Sequence, residues 1–274
     1  MRILFVGDIF GSPGRTAVQE HLADQARRHD VHLILANCEN AAAGFGITPR
    51  LAEELLATGI DAMTTGNHAW DKKEILEYFP KQPRLVRALN YPAWPGGGPQ
   101  GAAPGAGVYC GRSKTGVPYA LLHAQGRVFM TSLDCPFRRM DEELAKLPAS
   151  CRIRILDMHA EATSEKQAIG WYLDGRVTAV IGTHTHVPTA DERVLPGGTA
   201  FITDVGMTGP YDSVLGRNKE RVVGSMVSGV PSPFDVAEGD ARLCGILVSV
   251  DPTTGLATHI ERIRINGPEN ISPS

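Results

Sequence analysis

The 274-residue chain has no Cys-x-x-Cys pair, and its five cysteines, Cys38, Cys110, Cys135, Cys151 and Cys244, are an odd number scattered along the sequence. That argues against a disulfide framework and against a thiolate zinc site, and it suits a reducing cytoplasm, where the protein is expected to work. No apolar run approaches the roughly 18 residues of a membrane span. The apolar start, residues 3–6, is also too short for the hydrophobic region of a signal peptide. Excess positive charge is missing too. A formal net charge of -3 leaves no basic face for an extended nucleic acid, whose phosphates call for many Lys and Arg, whereas a small phosphate-bearing substrate stays compatible. There is no fixed-period repeat and no low-complexity tract beyond one glycine loop. What is present is ordinary globular composition, 42% hydrophobic and 21% charged. Assembly as a homo-oligomer is left open.

Residues 3–6 are continuously apolar and stopped by Gly7-Asp8, the pattern of a strand buried on both faces. A helix is predicted over 13–28 and a second strand over 32–36. A second helix starts at Thr48-Pro49, where Thr48 is the N-cap, Pro49 sits in the first turn, and Leu51, Leu55 and Leu56 keep helical spacing. A third strand is predicted over 60–65. Strand, helix, strand, helix, strand is the order of a layered α/β fold with parallel pairing. Residues 92–107 are rich in Gly and Pro and read as a loop. Short strands follow over 119–123 and 128–131, joined at Gln125-Gly126, and residues 134–137 read as a turn. Further on, strands over 153–158 and 178–181 flank a helix over 164–173, and residues 243–250 and 258–265 form an antiparallel hairpin. The expected architecture is an α/β layered sandwich of two mixed β-sheets flanked by helices. It is read as one domain over 1–274, with small capping loops around 92–107 and 206–238.

Polar residues gather where the strands stop. Asp8 follows the first strand, Glu39-Asn40 the second, Gly66-Asn67-His68 the third, His159 the strand over 153–158, and His184-Thr185-His186 the strand over 178–181. Carboxyl ends of strands in open α/β sheets line the crevice where ligands bind, so these distant positions are expected to meet. Singly, each has a plain structural reading: Asp8 or Asn67 as a turn residue or helix cap, His159 as a satisfied buried histidine. Together, two carboxylates, two amide oxygens and three imidazoles are oxygen and nitrogen donors suited to Mn, Fe, Zn or Co. Seven donors are too many for one ion and fit two ions sharing a bridging carboxylate. His21, His29, His32, His123 and His259 stand outside this pattern and are assigned to surface or core.

Gly66-Asn67-His68 and the run from Gly182 to His186 resemble motifs of the calcineurin-like metallophosphoesterases. The segments 1–8, 36–41, 159–166 and 203–212 look more specifically like the YmdB family of bacterial cyclic-nucleotide phosphodiesterases, a resemblance that covers nearly the whole chain. It implies a metallophosphoesterase fold in which Asp8, Asn40 and His186 bind one metal and Asn67, His159 and His184 the other. Glu39 would bridge them, and His68 would be the catalytic acid rather than a ligand. Iron is the first expectation, with Mn or Zn as alternatives. The implied substrate is a cyclic nucleotide, first of all a 2',3'-cyclic monophosphate. The alternatives are a general phosphomonoesterase or protein phosphatase, or a regulatory role through RNA or protein on the same scaffold.

The chain departs from the wider pattern at Phe10, where an imidazole is usual and for which Asn40 compensates, and at Cys38, where the family usually has glycine. Residues 206–217, with Tyr211 and Arg217, either cover the site or form an ordinary surface loop. Glu161 either orients His159 or serves the start of the following helix.

Overall fold

The structure is a computed structural model and describes residues 1–92 and 103–267. Its strands are β1 (Arg2–Val6), β2 (Asp8–Ile9), β3 (Leu33–Asn37), β4 (Ala62–Thr64), β5 (Leu85–Val86), β6 (Val108–Arg112) and β7 (Pro118–Gln125), then β8 (Ile153–His159), β9 (Ala179–Thr183), β10 (Arg193–Val194), β11 (Ala200–Ile202), β12 (Met207–Pro210), β13 (Ala241–Val250) and β14 (Ala257–Asn266). The helices are α1 (Gly11–Arg28), α2 (Pro49–Ala57), α3 (Ile75–Tyr78), α4 (Pro136–Lys146), α5 (Thr163–Tyr172) and α6 (Lys219–Ser228).

Among the described residues the strands make two mixed sheets. The first runs β2-β12-β13-β1-β3-β4-β5, with β14 also paired to β13; the second runs β10-β11-β9-β8-β7-β6. β1, β3, β4 and β5 are mutually parallel, as are β7, β8, β9 and β11, while β13 and β14 form the antiparallel hairpin expected from the sequence.

Alternation along each strand sets the layers. In β1, Ile3 and Phe5 face the space between the sheets, where they meet Leu121, Ile155 and Ile181 of the second sheet. Leu4 and Val6 face outward against Val18 and Leu22 of α1 and Leu51 and Leu55 of α2. In β8, Leu156 and Met158 turn outward to Met140 of α4 and Ile169 of α5. Strands covered on both faces must be apolar throughout, which is why β1, β3 and β9 read as unbroken hydrophobic runs. Thr48 Oγ1 accepts from the Leu51 amide at 3.3 Å, the N-cap anticipated for α2.

Three expectations are corrected. Residues 128–131 are not a strand, and β7 instead pairs antiparallel with β6. The Arg127 and Val128 amides donate to the Glu165 carboxylate rather than to a ladder, and Phe129 is 90% exposed at φ 61. Residues 134–137 do not end in a turn: Pro136 opens α4, where a missing N–H costs nothing, and Met140 and Leu144 are buried one turn apart. The stretch 206–238 is not only loop, since it contains β12, a buried strand of the first sheet, and α6. Much of the glycine-rich loop lies outside the described residues; within them, Ala106 bridges to Val86. Among the described residues no helix is long and apolar enough to cross a membrane.

Candidate metal centre

Parallel strands place their carboxyl ends on one edge, and that edge assembles the site. β1 passes through Gly7 into Asp8; β3 ends one residue before Cys38-Glu39-Asn40; β4 runs into a 3-10 turn at Gly66–His68; β8 ends on His159; β9 hands over to His184-Thr185-His186. The first three contributions come from one sheet and the last two from the other. Ligand atoms of Glu39, His159 and His184 lie within 4.8 Å of one another, and so do those of Asp8, Glu39 and His186, with Glu39 common to both groups. Asn67 Oδ1 stands 2.9 Å from His159 Nε2, and Asn40 Oδ1 stands 3.1 Å from His186 Nε2. All seven residues singled out in the sequence therefore converge. His68 lies beside them but in neither group, with Nδ1 at 2.8 Å from Asp71 Oδ2.

The electrostatics of this cluster call for cations. His159 Nε2 has Asn67 Oδ1 at 2.9 Å, His184 Nδ1 at 3.0 Å and Glu39 Oε2 at 3.0 Å. One ring nitrogen, with a single proton or a single lone pair, cannot serve three such partners. Asp8 is fully buried, and burial, followed by the neighbouring Glu39 carboxylate, pushes its carboxyl well above the usual range. Its Oδ2 accepts from the His184 amide at 2.9 Å, but its Oδ1 is buried without any hydrogen-bond partner. Burial holds the His159 imidazole far below its usual value, and burial together with His159 lowers His184 to about 3. Buried neutral imidazoles, crowded carboxylates and an orphaned carboxylate oxygen are relieved together when positive ions sit among them. The donor set thus fits two divalent cations with Glu39 between them.

A family model described as YmdB-like protein matches residues 4–263. The chain belongs to the YmdB-like protein family. It is 46% identical over 266 residues to a protein named 2',3'-cyclic-nucleotide 2'-phosphodiesterase from Bacillus subtilis (strain 168), with 97% of each chain covered. Among solved structures, it resembles a hypothetical protein from Thermus thermophilus at a TM-score of 0.88 and 41% identity, covering 98% of this chain and 100% of that one. It also resembles a structure titled as a novel phosphatase from Mycoplasma pneumoniae at a TM-score of 0.89 and 33% identity, covering 98% and 95%. The two-sheet sandwich is the one this family shares with the calcineurin-like phosphoesterases.

Behind the converging groups, this YmdB-like chain carries a second layer that the sequence reading missed. Asp157, wholly buried, accepts from Thr183 Oγ1 at 2.6 Å, Thr64 Oγ1 at 2.5 Å and Asn37 Nδ2 at 3.1 Å. With its proton committed to Asp157, Thr183 Oγ1 accepts from His159 Nδ1 at 2.8 Å, which leaves Nε2 as the bare nitrogen facing the site. His186 is set the same way, since Nδ1 donates to the Leu215 carbonyl at 3.1 Å. Glu161 stands 3.1 Å from His184 Nε2 and so orients that ring, not His159 as one sequence reading had it. Asp204 accepts from the amide and hydroxyl of Thr185, between the two histidines, and is paired with the buried Lys166 at 2.7 Å. The available signals were a carboxylate inside the apolar strand 153–159 and a lysine on the buried face of α5.

The remaining sequence candidates fall as follows. Tyr211 does not face the site; its hydroxyl donates to the Met207 carbonyl at 2.9 Å and its ring lies under Arg242. Leu215 and Arg217 do line the site cavity. Cys38 is buried, its thiol pushed up by burial and by Glu39 and donating to the Thr64 carbonyl, so it packs rather than reacts. His123, assigned to surface or core, is fully buried beside Asp157. Phe10, at the position where the resemblance to the wider superfamily implies an imidazole, packs edge-on against His186 at 5.4 Å.

Proposed function

We propose that the chain is a two-metal phosphodiesterase that opens 2',3'-cyclic nucleotides. The observation that carries this reading is the pair of buried donor groups sharing Glu39, in a chain 46% identical to a protein named for that activity. Asp8, Asn40 and His186 would hold one ion, Asn67, His159 and His184 the other, and Glu39 both. Iron is the first choice, with Mn or Zn as alternatives that nitrogen and oxygen donors also admit. When bound, such ions neutralise phosphate oxygens and make water a competent nucleophile near neutral pH.

The protein's own groups orient the reaction. Seven side chains from two sheets would hold the ions at one edge, where the phosphate docks, and the buried carboxylate Asp157 and the Leu215 carbonyl keep the His159 and His186 rings in the ligating tautomer. As the bond from water oxygen to phosphorus forms and the bond from phosphorus to ribose oxygen breaks, His68 delivers a proton to the departing oxygen. Asp71 Oδ2, at 2.8 Å, accepts from Nδ1 and so orients the ring with Nε2 toward the site; the acid is then the imidazolium form, whose Nε2 proton passes to the departing oxygen while Nδ1 keeps its own. The apolar core shared by the two sheets supports reading the chain as one domain. Its free cysteines support a cytoplasmic setting.

The test pairs metal analysis with a substrate panel of 2',3'-cyclic AMP, 3',5'-cyclic AMP and a phosphomonoester. The expected result is two metals per chain and a clear preference for the first substrate. His68→Ala should keep both metals and lose about 10²- to 10⁴-fold in kcat on 2',3'-cyclic AMP. Full activity in that variant would remove His68 from proton transfer, and fewer than one metal per chain with no turnover after Mn or Fe addition would sink the reading.

A further inference from the structure

The donor groups form only one side of a cavity of roughly 300 Å³. The other side is aromatic. Phe45 packs edge-on against His68 with ring centroids 5.1 Å apart, and Phe234 follows at 4.2 Å from Phe45. Arg217 lies over Phe234 with Cζ 4.5 Å from the ring centre, and its Nε is buried without a hydrogen-bond partner.

This wall is built rather than incidental. The amide nitrogen of Asn40, whose oxygen faces the cation site, donates to the Gly44 carbonyl at 2.9 Å and so anchors the segment that carries Phe45. Gly44 itself, at φ 90, admits no side chain, because a Cβ there would lie 2.5 Å from the Phe234 ring. The backbone has been cleared for Phe234 to reach Phe45. Hydrolysis of a phosphate ester or anhydride needs none of this, since the donor groups and His68 act on phosphorus and oxygen alone.

Position identifies the occupant. His68 marks the side on which the leaving oxygen departs, and in a cyclic nucleotide that oxygen belongs to the ribose that bears the base. Phe45 stands directly against His68, and the same cavity wall carries Arg217, whose Nε has no hydrogen-bond partner. We propose that Phe45, Phe234 and Arg217 form the seat of the substrate's nucleobase, the two rings offering a stacking face and the guanidinium meeting acceptor atoms on the base edge. This rests on the phosphodiesterase reading above and names the residues through which that site selects nucleotides. Aromatic platforms of this type tolerate any base, because every base has a π face.

The test compares kcat/KM for 2',3'-cyclic AMP with that for the methyl riboside 2',3'-cyclic phosphate, which lacks a base, on the Mn-loaded enzyme. The wild-type ratio should be about 5 to 150, the range of a base stacked on protein aromatics. A Phe45→Leu, Phe234→Leu double variant keeps apolar bulk and should reduce the ratio at least about fivefold, chiefly through KM, while Phe234→Trp should retain it. A ratio near one in the wild type, or one unchanged in the double variant, overturns the seat and leaves the phosphodiesterase reading standing. If the wild type turns over neither compound, that reading fails, and calorimetry of 3'-AMP and inorganic phosphate decides the seat. Tighter binding of 3'-AMP that the double variant abolishes upholds it; equal binding of the two overturns it.

Discussion

Lys166 carries its amine into the interior, where none of the side chain is exposed. Its ammonium has Asp204 Oδ2 at 2.7 Å, and both side chains are buried. Such pairs rarely add net stability over an apolar pair, but removing one partner strands the other charge, at a cost of about 3 to 5 kcal/mol. Here the stranded group would be the carboxylate that also receives the amide and hydroxyl of Thr185, between His184 and His186. Lys166→Met is therefore expected to lose about 3 to 5 kcal/mol in urea unfolding of the metal-free chain, and adding Asp204→Asn should recover part of it. A loss below about 1 kcal/mol would show that the pair is not what holds this turn.

The turns between strand and next element are where the fold is least forgiving. Gly66, which opens the 3-10 turn after β4 at φ 51, lies so close to the bridging carboxylate that a Cβ there would come within 1.8 Å of Glu39 Oε2 and 2.8 Å of His159 Cε1. The Asn67 amide donates to that same Oε2 at 3.0 Å, so the turn both supports Glu39 and delivers Asn67. Gly66→Ala should leave the core intact while weakening metal affinity about 10- to 100-fold, the usual penalty for disturbing groups that orient ligands. Calorimetric titration with Mn checks this, and unchanged affinity would mean that the turn gives way without moving Glu39. At the opposite turn His184 and His186 take φ 102 and 65, conformations that side chains seldom adopt and that persist because surrounding hydrogen bonds hold them.

Across the whole molecule the donor groups join two sheets. Asp8, Glu39, Asn40 and Asn67 belong to the first, and His159, His184 and His186 follow strands of the second. Ions that bind only when both are in place stabilise the folded state by mass action, about 4 kcal/mol at a thousandfold excess over Kd. For a chain of this length that corresponds to a rise in Tm of roughly 10 °C on metal loading, reversed by a chelator. Scanning calorimetry of the metal-loaded and metal-free forms decides it. Equal values would mean that the two sheets are as firmly joined without the ions.

Strand-end chemistry was legible without coordinates because buried parallel strands announce themselves as apolar runs, and the residue after each run must lie on the sheet's carboxyl edge. Asp8, Glu39, Asn40, Asn67, His159, His184 and His186 could be picked out for that reason, as could the two-sheet sandwich and the terminal hairpin. The helix at Pro136 and the partner of β7 were not, since a short apolar run such as 128–131 pairs only if its amides have no better acceptor, and here the Glu165 carboxylate supplies one. Asp157, Asp204 and Lys166 were hidden because a charge inside an apolar element acquires meaning only from its neighbour. Those neighbours are far off in the chain, Asp204 standing 38 positions from Lys166 and Thr64 standing 93 from Asp157. The aromatic wall of Phe45, Phe234 and Arg217 likewise joins segments far apart in the chain. Local sequence determined which groups stand at the ends of the strands; only tertiary packing decided which carboxylate supports which imidazole and what the site faces, because those are properties of distances between segments.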